Sequence, residues 1–203
     1  MEEKKKPKRG IYLLPNLFTT GCLFSGFYAI VYAMAGNFEQ AATAIFVAMV
    51  LDGLDGRVAR LTNTASEFGV QYDSLADMVS FGLAPALIIY ELSLNGMGKL
   101  GWLVAFVYTA GGALRLARFN TQAATADKRF FQGLPSPAAA AVVAGLVWIS
   151  AEYNLSGEDI KWFALVLTLM AGLAMVSNIR YYSFKDIDFK GKVPFITMLA
   201  VVL

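Results

Sequence analysis

Six apolar runs, each near twenty residues, govern what this chain can become: 13–35, 38–60, 73–92, 99–119, 135–153 and 160–178. About 20 apolar residues are what an α-helix needs to cross about 30 Å of hydrocarbon. At that depth every backbone N–H and C=O must be satisfied within the structure, so an open sheet is excluded. The pattern predicts an all-α, polytopic membrane protein with six transmembrane helices. Composition agrees, since 57% apolar and 16% charged residues are too apolar a mix for an ordinary soluble domain. A net charge of +2, with no groove of alternating basic and aromatic residues, gives no reason to expect a nucleic-acid partner.

Basic residues set the expected orientation. Under the six-helix reading, 15 of the 17 lysines and arginines fall on one side, from Lys4–Arg9 at the start to Lys192 near the end. Lys99 and Lys161 alone fall on the other. The positive-inside rule then puts both termini in the cytoplasm and makes this a multi-pass protein of the cell membrane. Residues 1–12 read as a basic cytoplasmic segment, either a topology anchor or a strip attracted to anionic lipid. The apolar run that follows is too long for a signal-peptide core. Residues 13–192 form the expected membrane domain. Residues 193–203 begin a further apolar run too short to span, so the chain is expected either to continue or to end in a packed segment.

Acids interrupt this apolar frame at Asp52, Asp55, Asp73 and Asp77. Ionisable residues within a span are costly and mark function by default. Asp52 and Asp55 are three apart and share a helix face; Asp73 and Asp77 are four apart and share another. A chain reversal over 61–68 would bring the two pairs together as antiparallel helices. Asp52 would lie about 21 Å along its helix, within reach of the cytoplasmic face. Carboxylate oxygens suit hard cations such as Mg²⁺ or Mn²⁺. Four such charges in low dielectric repel strongly, and two divalent ions would balance them.

The spacers matter as well. Gly53, Gly56 and Ala59 read either as room for a ligand or as small-residue helix packing. Arg57 reads as a functional charge or as a snorkelling side chain. An ion or proton carrier would explain the acids but not the glycines, Ala59 and Arg60 at these spacings. Cys22 is the sole cysteine, and histidine is absent, so proton transfer must use a carboxylate, tyrosine, lysine or water.

The string Asp52-x2-Asp55-Gly56-x2-Ala59-Arg60-x8-Gly69-x3-Asp73-x3-Asp77 resembles the signature of the CDP-alcohol phosphotransferases. That resemblance implies an enzyme that binds a CDP-linked lipid and transfers its phosphate-bearing group to an acceptor hydroxyl, releasing CMP. It implies Asp52, Asp55 and Asp73 as metal ligands, and Asp77 as general base and further ligand. Gly56, Ala59 and Gly69 would be the floor under the cytidine nucleotide, with Arg60 near its phosphates. It also implies a homodimer.

Three further segments resemble the serine-accepting members of that family, with CDP-diacylglycerol as donor and L-serine as acceptor. They are Pro15-Asn16-Leu17-Phe18-Thr19, Arg115-Leu116-Ala117-Arg118-Phe119-Asn120 and Phe131-Gln132-Gly133-Leu134-Pro135-Ser136-Pro137. Asn16 and Thr19 read as nucleotide contacts or as a helix cap. One of Arg115, Arg118 and Arg129 would clamp the serine carboxylate bidentately, with Asn120 and Ser136 nearby; both arginines of 115–118 also read as positive-inside anchors. Glycerol 3-phosphate and inositol phosphate are the competing acceptors. Tyr181-Tyr182-Ser183-Phe184-Lys185 reads as an interfacial aromatic belt.

Overall fold

The computed structural model describes residues 13–62, 66–122, 130–178 and 180–182. The basic segment 1–12, Arg129, residues 183–185 of the expected aromatic belt and the apolar segment 193–203 lie outside them.

The described residues form seven α-helical stretches: α1 (Leu13–Met34), α2 (Phe38–Thr62), α3 (Glu67–Asp77), α4 (Ala84–Ile89), α5 (Lys99–Gln122), α6 (Ser136–Glu152) and α7 (Gly157–Val176). α3 and α4 belong to one continuous rod, Glu67–Met97, interrupted by π-helical turns at Met78–Leu83 and Tyr90–Leu94 and ended by a 3₁₀ turn at Asn95–Met97. The chain is therefore an all-α membrane protein. Asn16–Met34, Glu67–Met97, Lys99–Thr121 and Gly157–Val176 are long and apolar enough to cross a bilayer. α6 is apolar but shorter, and α2 is long but carries the acids and arginines.

Two expectations shift. The reversal expected over 61–68 is tighter, because α2 runs on to Thr62 and α3 already starts at Glu67. The cause is a cap: Ser66 sits extended and its hydroxyl accepts from the Gly69 N–H at 3.0 Å. The all-helical expectation also missed a two-stranded antiparallel ribbon, β1 (Phe130–Gln132) with β2 (Arg180–Tyr182), where Phe131 pairs with Tyr181. It ties the connection before α6 to the chain leaving α7.

Local chemistry explains the other ends. α1 stops in a paired turn: Gly36 takes φ 78°, its N–H donates to the Ala33 carbonyl, and the Asn37 N–H donates to that of Tyr32. α7 starts with a reciprocal cap between Ser156 and Asp159.

Size is distributed opposite to the pattern of a soluble protein. Much of the buried core is small, including Ala29, Ala33, Ala41, Ala44 and Ala48, while Phe24, Phe27, Phe106, Phe163 and Met170 face outward. Lipid accepts large apolar side chains outside, and small ones inside let helices approach closely. All three tryptophans, Trp102, Trp148 and Trp162, are exposed near the ends of α5, α6 and α7 remote from the acids. That is the placement of an interfacial belt.

Candidate active site

The acids meet at the α2–α3 hairpin. Carboxylate oxygens of Asp52, Asp55 and Asp73 all lie within 4.8 Å of one another. Asp55 is buried, and the Thr19 hydroxyl of α1 donates to its Oδ2 at 2.8 Å. Across the hairpin, Asp55 is within side-chain hydrogen-bonding reach of Asp73, and Asp52 of Asp77. Asp77 stands outside the trio, and its buried Oδ1 finds no hydrogen-bond partner among the described residues. An all-oxygen donor set this close fits hard divalent cations.

The glycines resolve into two kinds. A Cβ added at Gly53 or Gly56 would meet nothing within 4 Å among the described residues. Helix packing among the described residues therefore does not explain them, and there their face of α2 is open to a ligand. Ala59 follows on α2, half-buried. Arg60 also belongs to α2, but its side chain is not among those described. Arg57 is exposed, consistent with snorkelling. Gly69, by contrast, sits at a contact: a Cβ there would come 3.2 Å from the Ser66 hydroxyl and 3.6 Å from Asn16 Oδ1. Asn16 and Gly69 thus border one another where α1 meets α3. One turn on, the Thr20 and Tyr72 hydroxyls join the same helices at 2.9 Å.

The accessory arginines separate. Arg115 Nη1 donates to the Ser136 hydroxyl at 2.9 Å, linking α5 to the start of α6. Its Nε is buried with no partner among the described residues, and Asp77 acts on the guanidinium electrostatically. Arg118 turns to the end of α7, where Nη1 donates to the Ser177 carbonyl at 3.5 Å and to Asn178 Oδ1 at 3.3 Å. Asn120 pairs with Ser74, donating from Nδ2 at 2.9 Å, beside a cavity lined by Gln71, Leu75, Met78 and Leu116. That cavity lies on the side of α3 turned away from Asp73.

Sequence reasoning passed over Tyr108 and Ser80, both fully buried. Ser80 Oγ donates to the Cys22 carbonyl at 3.0 Å, and Tyr108 Oη donates to the Phe81 carbonyl at 3.1 Å. The available signal was Pro85, eight residues past Asp77 inside an apolar run, where it must disturb the helix ahead of it.

A carboxylate centre among apolar helices, an open glycine face and a half-buried arginine are the parts of a membrane-embedded group-transfer enzyme. The sequence matches the family described as CDP-alcohol phosphatidyltransferase over residues 12–177. A CDP-diacylglycerol–serine O-phosphatidyltransferase of Helicobacter pylori strain 26695 is 42% identical over 198 residues, covering 97% of this chain and 83% of that protein. Proteins of the same name from Bacillus subtilis and Methanocaldococcus jannaschii are also similar. The first is 34% identical over 85% of this chain and 91% of its own length. The second is 37% identical over 68% of this chain and 61% of its own length. The chain belongs to the CDP-alcohol phosphatidyltransferase family.

Proposed function

We propose that this protein transfers the phosphatidyl group of CDP-diacylglycerol to the hydroxyl of L-serine, giving phosphatidylserine and CMP. The observation that carries the serine reading is a pair of buried polar atoms with no hydrogen-bond partner among the described residues, Asp77 Oδ1 and Arg115 Nε. One suits the proton of an acceptor hydroxyl, the other the carboxylate that serine has and glycerol 3-phosphate lacks. Relatives named for this activity support the same choice.

Asp52, Asp55 and Asp73 would hold two divalent ions, Mg²⁺ or Mn²⁺, with Asp77 at their edge. When bound, such ions neutralise a pyrophosphate and the charge developing on its leaving oxygen. Thr19 keeps Asp55 oriented. Gly56 and Ala59 leave space for the cytidine nucleotide on α2, Asn16 and Gly69 border it from α1 and α3, and Arg60 is the residue assigned to its phosphates. Arg115, steadied by Ser136, receives the serine carboxylate. Arg118, held at the end of α7, and Asn120, held by Ser74, support the cleft from behind; Arg129 is a further cation for the same anionic acceptor.

The reaction balances simply. Asp77 Oδ1 takes the proton of the serine hydroxyl, the serine oxygen bonds to the phosphatidyl phosphorus, and the P–O bond to CMP breaks with its electron pair leaving on CMP. Six spans, both termini and the acids toward the cytoplasm, a cell-membrane location and a homodimer complete the reading.

The test is CMP release by the purified protein with CDP-diacylglycerol and labelled L-serine. We expect labelled lipid, loss of activity with chelator, and recovery with Mg²⁺ or Mn²⁺. Faster turnover with glycerol 3-phosphate or inositol phosphate than with L-serine would defeat the serine assignment.

A further inference from the structure

The turn that follows Asp77 is built in an unusual way. Met78–Leu83 is π-helical, so the Ala84 N–H bonds to the Val79 carbonyl five residues back. A π turn accommodates one residue more than the α-helix and is frequent at functional sites. One additional residue rotates all that precedes it by about 100° relative to the rest of the rod. The face carrying Asp73 and Asp77 is therefore set by whether this turn holds its shape.

Pro85 lies at the start of α4 and is buried. It has no N–H, so the Phe81 carbonyl, whose α-helical donor would be residue 85, loses that option. Tyr108 supplies a hydrogen bond instead, donating to Phe81 at 3.1 Å from a fully buried position on α5. The next residue, Thr109, donates to the Gly82 carbonyl at 3.3 Å. A Cβ added at Gly112 would stand 3.2 Å from Gly82 Cα, so α5 touches the turn there as well. On the opposite side α1 closes in: Ser80 donates to the Cys22 carbonyl, and a Cβ on Gly26 would come 2.7 Å from Ser80 Cα.

Tyr108, Gly112 and Arg115 stand at i, i+4 and i+7, along one stripe of α5. The first two hold the π turn, and the third carries the guanidinium on which Asp77 acts. Tyr108 is itself immobilised, because α7 crosses it so closely that a Cβ on Gly172 would fall 2.8 Å from Tyr108 Cα. The stripe thus measures the register of Asp77 against Arg115.

We propose that Tyr108 is a positioning residue for the transfer reaction: by fixing the π turn through the Phe81 carbonyl, it sets Asp77 opposite Arg115. The inference rests on the roles given above to those two residues. It makes a specific demand, that weakening the turn harms the chemical step and leaves donor binding alone. A displacement of about 1 Å in a reacting group can cost about 10²-fold in rate.

The experiment compares Tyr108→Phe, Thr109→Val and Val143→Ala in the full chain, with kcat, KM for CDP-diacylglycerol and Tm measured on each. Val143 is fully buried on α6 and its side chain can make no hydrogen bond to the π turn, so it calibrates the effect of lost packing alone. We expect Tyr108→Phe to lower kcat by about 10-fold or more, with donor KM within about twofold of wild type. Thr109→Val should do the same more weakly and decides the matter if Tyr108→Phe fails to fold. An unchanged kcat, or an equal kcat loss in Val143→Ala at matched loss of Tm, overturns the proposal. If the wild-type protein prefers glycerol 3-phosphate, the serine reading falls. The same kcat comparison on that acceptor then decides the positioning role by itself.

Discussion

Glycine serves opposite purposes at the two ends of this molecule's interior. On α2, Gly53 and Gly56 face open space. At the α5–α7 crossing, a Cβ on Gly111 would stand 2.5 Å from the Gly172 carbonyl oxygen, and one on Gly172 would meet the backbone of Tyr108. The first pair keeps a surface clear; the second lets two backbones touch. Spacing does not separate the cases, since small residues at short helical intervals occur in both. What separates them is what lies opposite. The acids sit beside the clear face, and the tight crossing lies among buried apolar residues such as Ala105 and Ala171.

The buried polar atoms divide along the same line. Asp77 Oδ1 and Arg115 Nε flank the cleft, whereas Thr168 Oγ1, also without a partner among the described residues, lies on α7 away from the acids. The largest effect is expected at Asp77. Asp77→Asn should lower the rate of CMP release by about 10³-fold, as loss of a general base does, while CDP still binds in a calorimetric titration. Equal loss of binding and turnover would make Asp77 a ligand instead.

Next in size is Gly111→Ala. Its methyl group must displace backbone, so destabilisation of about 1–3 kcal/mol is expected, read as a lower Tm in detergent. A Tm equal to wild type would remove the close-contact account of the crossing. Gly56→Ala should show the reverse profile: Tm within about 0.5 kcal/mol of wild type, as for an uncrowded surface position. Its KM for CDP-diacylglycerol should rise by about 10-fold, about 1.4 kcal/mol of lost binding. A fall in Tm without a change in KM would turn it into a packing glycine.

The smallest effect belongs to Thr168→Val. Replacing an unsatisfied hydroxyl by a methyl group is expected to leave activity intact and to raise stability by up to about 1 kcal/mol. A loss of activity there would place Thr168 in the working machinery and break the division between cleft and core.

Much of the site could be read from residue order alone because its geometry is local. Asp52 and Asp55, then Asp73 and Asp77, are fixed by helical periodicity, and one short reversal brings the pairs together. Arg115 and Arg118 could not be told apart in that way. They lie three residues apart on one helix, yet one reaches Ser136 on α6 and the other the end of α7, contacts set by how distant helices pack. The π turn was hidden for a similar reason. Apolar periodicity reports which residues are buried, and Met78–Leu83 is apolar in either kind of turn. Pro85 signals a lost bond but not which side chain replaces it. The ribbon of β1 with β2 joins segments about fifty residues apart, and three residues carry too little alternation to announce a strand.

The hydrogen bond from Thr19 to Asp55 and the pairing of Arg115 with Ser136 have a consequence for biogenesis. A nascent chain is made from its amino end, so the α2–α3 hairpin reaches the bilayer before α5 and α6 do. The acids must then wait for Arg115 with α1 beside them, and an intermediate cut short after residue 97 would hold all four acids without that arginine. Assembly of this enzyme is therefore expected to be late and all at once, completed when the fifth and sixth helical stretches dock on a hairpin already in place.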